Sequence, residues 1–179
     1  MNGAQFLVPT LLAGGIDTCF ANPGTSEMHF VAALDPIPGM HCVLGLFKGL
    51  VSGAADSYAR MAGKPAATLF HCGPGLTNAL ASLHTARRAA SPIVNIVGDQ
   101  ATYHRPLDAP LIADTEGWAR AVCPASCAPR LWPRQWADSA NTRKQALASD
   151  HYAFVAPAGR ARPVCISRPF SGRPMIASA

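Results

Sequence analysis

Four short apolar runs, each closed by turn-forming residues and separated by segments of helical spacing, constrain this chain more than any other feature. They lie at residues 16–21, 42–47, 66–71 and 92–97. Each has the length of a buried strand and is too short for a core helix. Between them, residues 3–13, the stretch after Thr25, 49–62 and 76–88 carry small and apolar residues at helical intervals. Strands alternating with helices predict an α/β fold, a parallel sheet flanked by helices. The punctuation agrees. Asn22-Pro23-Gly24 is a turn, since Pro presets φ and Gly accepts the positive φ that follows. Thr25 or Ser26 then caps a helix, with Glu27 in the first turn, where the helix dipole favours an acid. Gly63-Lys64-Pro65 ends the third helix, Gly73-Pro74-Gly75 forms a tight loop, and Gly98-Asp99 closes the fourth strand.

The alternation stops near Gly117, and the composition changes with it. Residues 1–118 hold 6 Lys/Arg against 8 Asp/Glu, whereas residues 119–179 hold 9 against 2. Prolines at 124, 129 and 133 forbid a long helix there. The expected organisation is a domain over 1–117 and a basic, Pro/Arg-rich tail over 118–179, partly disordered or the divergent end of the domain. Within the tail, 138–149 reads as a helix and 162–167 as a last strand. The tail's arginines share no helical or strand face, which argues against nucleic-acid binding. Charged residues make up 14% of the chain, against about 25% in typical domains. A surface so short of charge expects a partner. No apolar run approaches the ~18–20 residues of a membrane span. The N-terminus lacks a basic leader, so the expected location is the cytoplasm. Of six cysteines, Cys19, Cys42 and Cys72 fall in or beside strands as small apolar residues. Cys123 and Cys127 have no second pair to complete a four-ligand site, so no metal centre is expected.

Several residues stand where chemistry belongs. Lys48 follows the second run and opens the next helix, where the dipole disfavours a cation. His71 ends the third run, and strand C-termini are where α/β sites lie; the alternative is a histidine that merely fills a strand end. Asn78, after the GPG loop, either faces a ligand or bonds locally. Gln100 follows Gly98-Asp99, with His104 and Arg105 beyond it as surface residues. GPGLTN approaches the dinucleotide fingerprint, but Asn78 replaces the third glycine and the loop is not at the first strand.

Four segments in register, FANPGTSE (20–27), LGLFKG (44–49), GAADSYARMAGKPA (53–66) and HCGPGLTNAL (71–80) with SPIVNIVGDQ (91–100), resemble the N-terminal pyrimidine-binding (PYR) domain of the thiamine-diphosphate enzymes. The resemblance is to the branch of acetolactate synthase and benzoylformate decarboxylase, and covers about residues 1–117. It implies a parallel sheet in flavodoxin-like layers. It implies that Pro23, Gly24, Lys48, Gly73 and Asn78 line a thiamine diphosphate site, and that His71 and Gln100 face substrate. In that family a glutamate stands at the position of Lys48. It shares a proton with a pyrimidine ring nitrogen and so activates the cofactor, a role worth ~10² to 10⁴ in rate. As an ammonium, a lysine can donate to the neutral ring but repels the protonated one. The family's magnesium and diphosphate are held by a GDG…N segment of a PP domain, and no GDG occurs here. The site is therefore expected to be partial.

The resulting expectation is a truncated or degenerate acetolactate-synthase-like protein that binds thiamine diphosphate through part of a site and is inactive alone. The alternatives are a separate PYR-type (α) subunit of a split 2-oxo acid decarboxylase and a non-catalytic interaction subunit. Expected partners are a second copy, through the PYR–PYR helices, or a PP-domain chain. No nucleic acid or membrane is expected.

Overall fold

The computed structural model describes residues 3–101 and 103–122, with the backbone of two further strands at 125–127 and 152–156. Helix α1 (Gly3–Ala13) leads into strand β1 (Thr18–Asn22), a 3-10 turn (Thr25–Glu27) and helix α2 (Met28–Leu34). Strand β2 (His41–Leu44), helix α3 (Lys48–Ala62), strand β3 (Ala66–His71), helix α4 (Cys72–Arg88) and strand β4 (Ile93–Gly98) repeat the unit. Helix α5 (Thr115–Val122) precedes strands β5 (Ala125–Cys127) and β6 (Tyr152–Ala156). The sheet order is β2-β1-β3-β4-β6-β5. The first four strands are parallel, as their sequence pattern requires. β6 then pairs antiparallel with β4 and with β5.

Both faces of β1, β3 and β4 are covered, which is why these strands read as near-continuous apolar runs, whereas the edge strand β2 is largely exposed. On one face Leu7, Val8, Leu11 and Phe30 from α1 and α2 pack on Cys19, Ala21, Leu69 and Ile96. On the other, Val51, Leu76, Leu83 and Val122 from α3, α4 and α5 pack on Phe70 and Val97. Alternate residues of β1 thus serve opposite cores, Cys19 one and Phe20 the other. A polar latch joins α3 to the entry of β4. Buried Asp56 accepts from Arg60 Nε at 2.9 Å and Nη2 at 2.5 Å, and from Ser91 Oγ. α3 ends at Gly63, whose φ of 63° is the left-handed turn that glycine takes without strain.

Three local expectations are corrected. β2 stops at Leu44 rather than 47: Gly45 still donates to Ala21 O, but the chain then turns into α3. Gly73-Pro74-Gly75 is not a loop. It lies in the first turn of α4, where a proline's missing N–H leaves no bond unmade. Neither Thr25 nor Ser26 is the cap. Gly24 is, and the Glu27 side chain reaches back to its N–H at 2.6 Å. The composition change near Gly117 falls inside α5. The segments 138–149 and 162–167 lie outside the described residues. Among the described residues, no helix is long and apolar enough to cross a membrane.

Candidate functional site at the sheet's switch point

The carboxyl ends of β1, β2, β3 and β4 open on one edge. The strand order reverses between β1 and β3, and the crevice outside such a reversal is where open α/β sheets take ligands. Two side-chain groups meet there, one between β1 and β3, the other between β1 and β2.

The first group is built around Glu27, which is fully buried. Its Oε2 accepts the Gly24 N–H at 2.6 Å, and its Oε1 accepts the Ser26 hydroxyl. Nδ1 of His71 lies 3.0 Å from Oε2 and 2.8 Å from Ser26 Oγ. A carboxylate so buried requires partners of this kind. His71 is the residue before α4, and Cys72 opens that helix with φ at 53°, unusual for a residue with a side chain. The Cys72 thiol is buried 3.4 Å from Ser26 Oγ and 3.7 Å from His71 Nδ1. Burial pushes its pKa up, the Ser26 hydroxyl opposes the rise, and Glu27 and Asp99 add to it. The thiol therefore stays protonated and is a poor nucleophile. Gly24 and Gly98 are the close approaches that permit the cluster. A Cβ on Gly24 would meet the His71 ring, and one on Gly98 would meet the Glu27 carboxylate. Glu27, His71 and Cys72 bring ligand-type atoms within 4.8 Å of one another. Cysteine spacing, which gives no four-ligand pattern anywhere in the chain, carries no signal for this trio.

The second group holds Lys48. Its Nζ donates to Asn22 Oδ1, and Asn22 Nδ2 donates to Gly45 O at 2.5 Å. The half-buried Lys48 stem runs along the first turn of α4, where a Cβ on Gly75 would sit 3.5 Å from its Cε. The ammonium is thus placed beside two helix N-termini, that of α3, which it opens, and that of α4.

The remaining sequence candidates distribute unevenly. Gly73 is buried against Ala113 and Trp118 of the segment entering and forming α5. Pro23 is half-buried beside Gly24. Asn78 is exposed and donates back to Pro74 O at 2.8 Å, a bond within α4. Gln100 is half-buried, with Nε2 3.2 Å from Pro110 O and 3.9 Å from Cys72 Sγ. Arg105 pairs with Asp99 at 2.6 Å. Sequence reasoning passed over Glu27, Ser26, Asn22 and Cys72 as site residues. The available signal was positional, since all four lie at or within a few residues beyond the carboxyl ends of β1 and β3, which a parallel sheet brings to one edge.

The family model for the N-terminal TPP binding domain of thiamine pyrophosphate enzymes matches residues 1–118. A Mycobacterium tuberculosis protein assigned as an acetolactate synthase large subunit, IlvX, is 63% identical over 122 residues, 68% of this chain and 24% of the relative. The acetolactate synthase isozyme 3 large subunit of Escherichia coli is 29% identical over 169 residues, 94% of this chain and 28% of the enzyme. A solved structure, the thiamine diphosphate-dependent 4-hydroxybenzoylformate decarboxylase of Rhodococcus jostii RHA1, superposes with a TM-score of 0.65 at 25% identity. That superposition covers 82% of this chain and 27% of the decarboxylase. The chain thus spans about a quarter of the length of the relatives it matches. With a four-stranded parallel sheet, a site at its switch point and a family match across that whole unit, the chain belongs to the thiamine pyrophosphate enzymes, through their N-terminal TPP binding domain.

Proposed function

We propose that this chain forms the pyrimidine-side wall of an acetolactate-synthase-type thiamine diphosphate site and does not activate the cofactor by itself. The observation that carries this reading is Lys48. It stands at the family's glutamate position, with its Nζ held by Asn22 at the joined ends of β1 and β2.

Thiamine diphosphate, when bound, supplies a thiazolium carbon that adds to 2-oxo acids once its C2 proton is removed. The residues present fit one form of its pyrimidine ring and not the other. An ammonium can donate to the unprotonated ring nitrogen. It cannot accept from the protonated one, and its charge opposes that state. A glutamate does the reverse. Gly24, Pro23 and Gly73 would shape the cradle, and Asn78 would hold the first turn of α4. His71, held by Glu27, and Gln100 would face the substrate side. Magnesium and diphosphate find no GDG segment in these 179 residues, so a PP domain would have to hold them.

An exposed apolar patch supports a partner on this side. Leu44, Leu46, Phe47 and Leu50 are 67%, 88%, 58% and 59% exposed at the end of β2 and the start of α3. Contiguous exposed apolar surface of this kind marks an interface. It suits a second copy, meeting through α3, or a PP-domain chain. A separate PYR-type subunit of a split enzyme gains support from the sequence beyond residue 117. The similarity to the Escherichia coli enzyme extends over 169 residues, and β6 completes the sheet beside β4. Both favour a tail that is the divergent end of the same domain.

The reading is tested by the Lys48→Glu variant mixed with a PP-domain chain from a relative. Deuterium exchange at cofactor C2 should rise above that of the wild-type mixture by tenfold or more. Equal exchange in the two mixtures would remove Lys48 from the explanation.

A further inference from the structure

Cys19 and Cys42 are Cα partners in the parallel β1–β2 pair. Paired residues of neighbouring strands lie about 4.8 Å apart and project to the same face. That separation falls within the roughly 4.4–6.8 Å that disulfides span. The two thiols act on each other's titration, Cys19 being raised by Cys42 and Cys42 lowered by Cys19, while the Cys19 thiol also lies 4.0 Å from Phe20 O. Their exposure is unequal. Cys19 is fully buried among the α1 and α2 core residues, while Cys42 lies exposed on the edge strand. Both precede the site by the same offset: three residues after them stand Asn22 and Gly45, which are bonded to each other.

We infer that Cys19 and Cys42 form an oxidisable dithiol, a disulfide modification site that closes across β1 and β2 directly beneath the candidate cofactor wall. The chemical class of oxidant is a low-molecular-weight disulfide, such as oxidised glutathione. The Cys42 thiolate attacks one sulfur of the oxidant and forms a mixed disulfide, releasing one small thiolate. Cys19 then loses its proton and attacks the Cys42 sulfur, releasing the second small thiolate. The protein loses two hydrogens, and one small disulfide becomes two small thiols. The exposed residue makes the first attack, because oxidant can reach it, and the buried one resolves the adduct. The neighbouring Cys19 side chain draws the Cys42 thiol down to about 7, which keeps a large share of it ionised near neutrality. Neither thiol takes part in the reading of Lys48 given above, so the two ideas stand or fall separately.

The test uses the unmodified chain. Native protein is incubated with oxidised glutathione, free thiols are blocked with N-ethylmaleimide in denaturant, and the product is cut on the N-terminal side of aspartates without reductant. Cys19 then lies in the peptide of residues 17–34 and Cys42 in that of 35–55. The expected result is a species in which these two peptides are linked and separate on reduction. Cys19→Ser should instead accumulate the glutathione adduct on Cys42, and Cys42→Ser should leave Cys19 blocked only by maleimide. A wild-type chain in which peptide 35–55 carries a lasting glutathione adduct with no link to 17–34 would overturn the inference. So would a wild-type chain in which both peptides carry only maleimide.

Discussion

At the scale of single residues, the site is decided by what a carboxylate and an ammonium can each do in a half-dry crevice. Glu27 is sealed inside the fold, where the Gly24 N–H, Ser26 and His71 compensate its burial. Gly98→Ala places a methyl group on that carboxylate. It should destabilise the chain by about 1–3 kcal/mol, the usual cost of overpacking, read by chemical denaturation; an unchanged midpoint would mean that the cluster is not as tight as described. Cys42 gives a pH prediction. Its folded pKa is lowered to about 7 by the neighbouring Cys19 side chain, so thiolate accumulates as pH rises through that value. Alkylation of Cys42 by iodoacetamide should climb through neutrality and level off above it. A rate still rising steeply two pH units higher would contradict the geometry. The sequence pointed to Lys48 and His71 because their segments match a family pattern. It gave little warning of Glu27, whose place after a turn is explained equally well by helix capping. It gave little warning of Cys72, whose positive φ is a tertiary constraint with no local signature.

At the scale of elements, strands and helices were legible because hydrophobic period and turn chemistry agree along residues 3–98. Where they failed, a long-range contact prevailed. β2 ends early because the Asn22 side chain captures Gly45 O, and no pattern within 42–47 encodes that. The GPG segment reads as a loop from its composition, yet it winds into α4 because proline is tolerated in a first turn. The α3 latch is similarly long-range. Asp56 is buried and serves both Arg60 and Ser91. Asp56→Ala should therefore cost about 1.5–3 kcal/mol, as expected for losing hydrogen bonds to a charged group. Asp56→Asn should cost less than Asp56→Ala. Equal stability of Asp56→Ala and wild type in urea unfolding would show that the latch does not hold α3. The apolar start of α3 makes a different prediction. Leu50→Asp should leave the fold intact and shift the sedimentation profile towards monomer, provided the patch is the surface through which copies meet.

At the scale of the whole molecule, the chain supplies a sheet edge and, on the proposed reading, only part of the cofactor chemistry. Four strand ends converge on a switch point, and the family match covers all of them. On the reading proposed above, Lys48 stands where the ring nitrogen's carboxylate partner belongs, and no GDG segment to bind magnesium and diphosphate occurs in the 179 residues. The tail was the least legible part. Its proline and arginine content hid the strand that β6 adds to the sheet, because antiparallel pairing with β4 depends on a partner far away in sequence. The central claim is that this chain does not by itself activate thiamine diphosphate. The most direct measurement is the rate of hydrogen–deuterium exchange at cofactor C2, followed by NMR with the chain in molar excess. The predicted rate equals that of free cofactor, for the wild type and for Lys48→Glu alone. Exchange accelerated by the wild-type chain alone would contradict the claim, because a lysine wall without a PP domain would then suffice.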